Sequence, residues 1–358
     1  MKYKKIAIKI GSNVLTKADG TIDTDSLSNL VDQIAVLYKK GIEIVLISSG
    51  AVASGRSILN VSKKMDVVDQ RQLFSAVGQA RLINHYWDMF KKHGITVGQV
   101  LTMKENFSSR RHYLNQRNCM RVMLDNQVLP IVNENDTVSI SELMFTDNDE
   151  LSGLIASMMG MEALIILSNI DGIYKGSPDD PGSEVIRKIH KKDNIAEYIR
   201  TSKSAFGRGG MNTKAAIARK IADEGIEVYI ANGRQKNILT RLMDKKEDVV
   251  CTHFIASKDA VSSVKKWIAH SEDFVKGKIS VNANAAKALM GDKAVSLLPV
   301  GVTSIAGEFE KDDIVKIVDE KGKNLGIGKV QYNSSKAREL IGLKNQKPIV
   351  HYDYLYLE

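Results

Sequence analysis

Six short apolar runs recur through the first two-thirds of this chain, separated by stretches with helical spacing. They cover residues 6–10, 44–47, 96–101, 128–132, 164–167 and 228–230. Most are brief, rich in branched residues and nearly continuous, as expected of strands buried on both faces. Between the first two, Leu27, Leu30, Val31, Ile34, Leu37 and Tyr38 fall on one helical stripe. Asp25 reads as its N-cap and Gly41 as its C-terminal stop. Such alternation predicts an α/β fold with a mainly parallel sheet flanked by helices. Ligands of such sheets gather at the carboxyl ends of the strands.

At 358 residues the chain is long for one core, which predicts two domains. The pattern changes after Ala256, and residues 272–278 read as a linker. From Lys278 the runs shorten, with turns at Pro299, Gly301, Gly307, Gly322 and Gly326. Residues 314–318 and 326–330 read as strands of a second, small β-rich domain. The expected division is therefore 1–256 and 278–358.

The composition, 43% hydrophobic and 26% charged, is that of a soluble globular protein. No apolar run reaches membrane-spanning length, and Met1-Lys2-Tyr3-Lys4-Lys5 leads into a strand rather than a signal peptide. A cytoplasmic location is the expectation. Cys119 and Cys251 are too few for a disulfide framework and are expected to be small core residues. The histidines have no metal-ligand spacing. The net charge of +9 is spread along the chain: residues 276–358 contribute 13 basic and 10 acidic side chains. That spread, with no interleaved aromatic residues, argues against RNA as a partner.

The chemistry-bearing residues sit at strand ends. Gly207-Arg208-Gly209-Gly210-Met211-Asn212-Thr213-Lys214 is a glycine turn opening into a helix-forming run. Backbone N–H groups, a helix N-terminus and a fixed cation together suit a phosphate. Lys9, near the end of the first run, is followed by Gly11. Phosphoryl transfer needs positioning and charge neutralisation more than covalent help, and two lysine-plus-glycine sites supply both. Ser48-Ser49-Gly50-Ala51 is a small-residue turn, either a place of close ligand approach or an ordinary strand-to-helix turn. Asn133-Glu134-Asn135-Asp136 and Thr146-Asp147-Asn148-Asp149-Glu150 add acidic groups. These either meet a substrate amino group or cap a helix, and Asp149 could pair with both lysines. No Walker-type glycine loop is present, and Gly326-x-Gly328-Lys329 reads as a bend in a strand.

In this order the motifs resemble the amino acid kinase family, in its glutamate-phosphorylating branch. The matching segments are Ile8-Lys9-Ile10-Gly11-Ser12, Ser48-Ser49-Gly50-Ala51, Ala76-Val77-Gly78-Gln79, Val132-Asn133-Glu134-Asn135-Asp136, Asp147-Asn148-Asp149 and Gly209-Gly210-Met211-Asn212-Thr213-Lys214. Ser296-Leu297-Leu298-Pro299-Val300-Gly301 and Gly307-Glu308-Phe309 resemble a PUA domain. The resemblance implies transfer of the ATP γ-phosphoryl group to the side-chain carboxylate of L-glutamate, the first step of proline biosynthesis. It implies that Lys9 and Lys214 stabilise the transferring group and that Asp149 orients them. Ser49, Asp136 and Asn148 would hold glutamate. Ser168, Asn169, Arg208, Gly209, Gly210, Met211, Asn212, Thr213 and Lys214, with Lys9, would contact ATP. Mg2+ would ride on the nucleotide, with no protein ligand assigned.

Arg208 stands where the family usually has threonine, Asn169 where it has aspartate, and Asn13 where serine is usual. Proline as an inhibitor and a homo-oligomer, dimer or tetramer, are further expectations of the resemblance. Kinases of the same family acting on N-acetylglutamate, aspartate or a nucleotide are the neighbouring alternatives. Asp136 and Asp147 favour a free amino group over the acetylated substrate.

Overall fold

The computed structural model describes residues 1–59, 61, 65–138, 145, 147–176, 182–195, 210–244, 246–258, 263–291 and 294–357. The chain divides into two units. Met1–Asn106 and Leu114–Ala260 form the first, and Phe107–Tyr113 and Val261–Glu358 the second.

The first unit is built on β1 (Lys5–Ile10), β2 (Glu43–Ser48), β3 (Thr96–Thr102), β4 (Val128–Glu134), β5 (Ala163–Ser168), β6 (Lys188–Ile189), β7 (Glu227–Asn232) and β8 (Thr252–Phe254). Their order in the sheet is β3-β4-β2-β1-β5-β7-β8-β6. The pairings from β3 across to β7 are parallel, while β8 runs antiparallel to β7. The apolar runs are strands because both faces are covered: Ile6, Ile8, Ile10, Ile44, Leu46, Leu164 and Ile166 are all fully buried. The chain builds one side of β1 first and then crosses to β5 on the other. The switch point therefore lies beside β1, where Lys9 pairs in register with Ile47 and Ile166.

The helices of this part of the chain are α1 (Ser12–Leu15), α2 (Thr24–Lys39), α3 (Ala51–Arg56), α4 (Val67–Lys91), α5 (Arg110–Asp125), α6 (Asn148–Met159), α7 (Met211–Asp223) and α8 (Ile238–Met243). On α2 the predicted stripe is buried, but the N-cap is Asp23 rather than Asp25. Asp23 has extended backbone and its carboxylate accepts from Ser26 N at 3.1 Å. Asp25 lies inside the first turn, where its charge meets the positive helix end without capping it. Gly50 starts α3 at φ +108, a conformation costly for any residue with a Cβ. α3 and α4 touch backbone to backbone: a Cβ on Gly78 would lie 1.9 Å from Ala51 O, and one on Gly55 1.9 Å from Phe74 O. Cys251 is buried as expected, whereas Cys119 is exposed on α5.

The second unit holds α9 (Ser263–Ala269), β9 (Val275–Val281), α10 (Ala283–Leu289), β10 (Val302–Gly307), β11 (Ile314–Val318), β12 (Asn324–Val330), α11 (Ser334–Glu339) and β13 (Val350–Leu357). Its sheet order is β10-β9-β11-β12-β13, around a core of Ile279, Val281, Val315, Ile317, Val330, Ile349 and Val350. The expected linker at 272–278 is instead a 3-10 turn, Glu272–Phe274, running straight into β9. Gly277, Ile279 and Val281 alternate inward there, which makes the segment a strand. Gly326 and Gly328 permit close approach between strands. Cβ atoms on them would lie 2.1 Å from Tyr356 O and 2.5 Å from Val350 Cγ1.

Candidate active site

Five strand ends, those of β1, β2, β4, β5 and β7, open onto one edge of the parallel sheet, and α6 starts there. Asp147 caps α6, its Oδ1 accepting from Asp149 N at 2.8 Å and Glu150 N at 3.1 Å. The cap fixes the first turn, so that Asp149 points into the protein and is fully buried. Lys9 Nζ reaches its Oδ1 at 2.5 Å, and Lys214 Nζ, from the first turn of α7, reaches its Oδ2 at 2.8 Å. Burial pushes the Asp149 carboxyl up, but the two ammonium groups outweigh it and hold the carboxyl at about 2. Asp147 goes the other way. Burial and the Asp149 charge push it up to about 6, against the pull of Lys9 and Lys214.

A second cluster lies at the ends of β2 and β4. The Asn148 side-chain amide donates to Ser49 Oγ at 2.9 Å and to Asn133 Oδ1 at 3.0 Å. Asn133 in turn donates to Gln79 Oε1 on α4 at 2.8 Å. Asp136 lies just beyond β4, and its carboxylate accepts from Arg71 on α4. The same Arg71 nitrogen donates to Glu134 Oε2 at 2.9 Å, and Phe145 N donates to Glu134 Oε1 at 3.0 Å. Burial and the Asp136 charge raise the Glu134 carboxyl, and Arg71 offsets part of that rise.

The third part is at the ends of β5 and β7. Ser168 closes β5 and donates to the exposed Asn169 at 3.4 Å. Asp171 Oδ1 accepts from Asn232 at 3.0 Å and from Gln235 at 2.6 Å, tying the loop after β5 to that after β7. Gly210 is the N-cap residue of α7 and gives no side-chain cap. Met211, Asn212, Thr213 and Lys214 form the first turn. The predicted ATP contacts Arg208 and Gly209 lie outside the described residues.

The structure thus brings Lys9, Lys214 and Asp149 into direct contact, and joins Ser49 to Asn148. Arg71, Asn133, Gln79 and Asp171 belong to the same edge. None of the four was expected as a site residue. Gln79 and Asn133 sit inside motifs already singled out, whereas Arg71 stands alone on α4 with nothing to mark it.

Residues 4–232 match the sequence pattern of the amino acid kinase family. This chain belongs to the amino acid kinase family. Residues 277–352 match the PUA domain. A protein of Bacteroides thetaiotaomicron named glutamate 5-kinase is 65% identical over 357 residues, spanning 100% of this chain and 99% of its own length. One of the same name from Chlorobaculum tepidum is 47% identical, over 99% and 98% of the two chains. Among solved structures, carbamate kinase from Giardia lamblia bound to AMP-PNP superposes with a TM-score of 0.52 at 15% identity. It covers 71% of this chain and 99% of its own, a likeness of fold. Among the described residues no helix is long and apolar enough to cross a membrane.

Proposed function

We propose that this chain is a glutamate 5-kinase, transferring the γ-phosphoryl group of ATP to the side-chain carboxylate of L-glutamate in the first step of proline biosynthesis. The observation that carries the proposal is the pair of ammonium groups, from Lys9 and Lys214, held on the two oxygens of one buried carboxylate. The full-length relatives named glutamate 5-kinase support the choice of acceptor.

A carboxylate acceptor is already ionised near neutral pH and needs no general base. The barrier is the approach of one anion to another, so catalysis rests on fixed positive charge around the moving group. Asp149 offsets only one of the two ammonium charges, leaving the trio positive. It takes one of the three donors on each ammonium and fixes the direction of the others. Gly11 lets the chain pass close to β5 beside this point: a Cβ there would stand 3.0 Å from Leu167 O and in ordinary contact, 3.5 Å, with Lys9 Nζ. The start of α7, without a side-chain cap, turns backbone N–H groups toward the same region. These features fit a nucleotide phosphate. Mg2+ is assigned to the nucleotide, where it would add further charge neutralisation, and no residue of the chain is assigned to it.

On the acceptor side, Ser49 and Asn148 are assigned to glutamate, and Asp136 to its ammonium group. Ser168, Asn169 and residues 208–214 are assigned to ATP. All of these fall in residues 1–256, which we assign as the kinase domain, with 278–358 as a PUA-like domain. Inhibition by proline and assembly as a dimer or tetramer belong to the same proposal.

The test is ATP-dependent glutamyl hydroxamate formation with L-glutamate, N-acetylglutamate and aspartate as competing acceptors, with and without proline. Turnover of glutamate is expected. Turnover of N-acetylglutamate alone would overturn the assignment.

A further inference from the structure

The two lysines come from opposite parts of the chain, and Lys214 depends on how α7 lies against α6. The contact between these helices is a single seam. On α6 the facing residues are Asp149, Gly153 and Ser157, spaced by four. On α7 they are Lys214, Ile217 and Ile221, with Glu224 at its C-cap, spaced by three and four. Asp149 meets Lys214 at one end. Ser157 Oγ donates to the buried Glu224 carboxylate at the other. The two helices therefore run parallel, tied by polar contacts at both ends.

The middle of the seam has no slack. A Cβ placed on Gly153 would lie 3.0 Å from Ile221 Cγ1 and 3.1 Å from both Ile217 Cγ2 and Ile221 Cδ1. Those distances are tighter than ordinary carbon contacts, so with even one methyl group the two isoleucine side chains, or the helix that carries them, would have to give by a few tenths of an ångström. A glycine inside a helix costs about 1 kcal/mol relative to alanine, so its place here calls for a packing reason. The isoleucine pair supplies it.

We propose that Gly153 is a positioning residue: its missing side chain, matched to Ile217 and Ile221, sets the depth of α7 and so the place of the Lys214 ammonium. The inference rests on the kinase reading above. Lys214 would be drawn off Asp149 by a bulkier seam, and misplacement of a catalytic group by about 1 Å costs on the order of 100-fold in rate.

The experiment is a double-mutant cycle on kcat, with Gly153→Ala, Ile221→Ala and the double variant assayed below their unfolding temperatures on L-glutamate and ATP. Gly153→Ala in the natural background is expected to lower kcat by about 4- to 10-fold, which corresponds to about 0.3–0.5 Å on that scale. The KM for glutamate should stay within about 2-fold, because Asn148, the α6 residue assigned to the acceptor, is held by its own bonds to Ser49 and Asn133. In the Ile221→Ala background, where the added methyl has room, the same change should cost less than about 2-fold. A residue needed only for folding would shift the thermal midpoint without this cancellation in kcat. Should Gly153→Ala alone fail to fold, the double variant must keep kcat within about 3-fold of Ile221→Ala. Natural kcat in Gly153→Ala, or equal losses in both backgrounds, would overturn the positioning role alone. Absence of glutamate turnover in the natural protein would overturn the kinase reading and this inference with it.

Discussion

Lys9 and Lys214 hold opposite oxygens of the same carboxylate, at 2.5 and 2.8 Å. The carboxylate, Asp149, is fully buried, so neither lysine is a mobile surface charge. Replacing Asp149 by asparagine keeps the shape and removes the charge that both ammonium groups share. The expected result is a fall in kcat of about 100-fold with a smaller change in either KM. A stability loss of about 3 kcal/mol should accompany it, since the buried Lys9 and the partly buried Lys214 both lose their partner. The sign with pH follows from the depressed carboxyl. Its contribution is present above the unfolded value near 4 and is lost as pH falls toward about 2. Urea unfolding of both proteins should therefore show the Asp149 contribution disappearing below pH 4, on top of a further narrowing as pH rises through 6, where Asp147, raised in part by the Asp149 charge, ionises in the natural protein.

Arg71 is the one cation seen between Glu134 and Asp136 among the described contacts. Replacing it with glutamine leaves two neighbouring carboxylates facing each other, one of them already raised by burial. Stability should drop by about 3 kcal/mol at pH 7.5 and by less at pH 5, where the pair takes up a proton. The KM for glutamate should rise, since Asp136 loses its anchor. Denaturation at the two pH values, with initial rates beside it, checks both statements.

Much of this was legible in the sequence, and what was not has physical reasons. Lys9 and Lys214 stood out because a lysine beside glycine at the end of an apolar run has few bland explanations. The strands were legible because buried parallel strands leave continuous apolar runs. Arg71 was not, because an arginine on a long helix looks like any solvated residue until its partners at the end of β4, Glu134 and Asp136, are seen. Gly153 was hidden for a similar reason: a lone glycine in a helix shows its use only against Ile217 and Ile221. The linker reading of 272–278 failed because Glu272, Asp273, Lys276 and Lys278 mask the inward alternation of β9. No local signal reveals that Phe107–Tyr113 belongs with the second unit.

Asn148 donates to Ser49 and to Asn133 from a single amide. Alanine at Ser49 or Asn148 should raise the KM for glutamate at least about 10-fold and leave that for ATP nearly unchanged. Initial rates with each substrate varied in turn separate the two effects. A matching rise for ATP would move these residues off the acceptor side.

Asp147 offers a test of opposite sign. Its carboxyl is raised to about 6, so its stabilising contribution is fully present below pH 4 and is lost as pH rises through 6. Asparagine at this position can still accept the N–H bonds that cap α6. Asp147→Asn should therefore be more stable than the natural protein at pH 7.5 by about 1–2 kcal/mol, and no more stable at pH 4. Thermal unfolding across that range decides it.

The decisive measurement is kcat for ATP-dependent glutamyl hydroxamate formation by the natural protein, Lys9→Met and Lys214→Met, each checked for folding by circular dichroism. The natural protein should turn over L-glutamate, and each folded variant should lose at least about 100-fold in kcat. Natural-like kcat in either variant would contradict a transfer step carried by two converging ammonium groups.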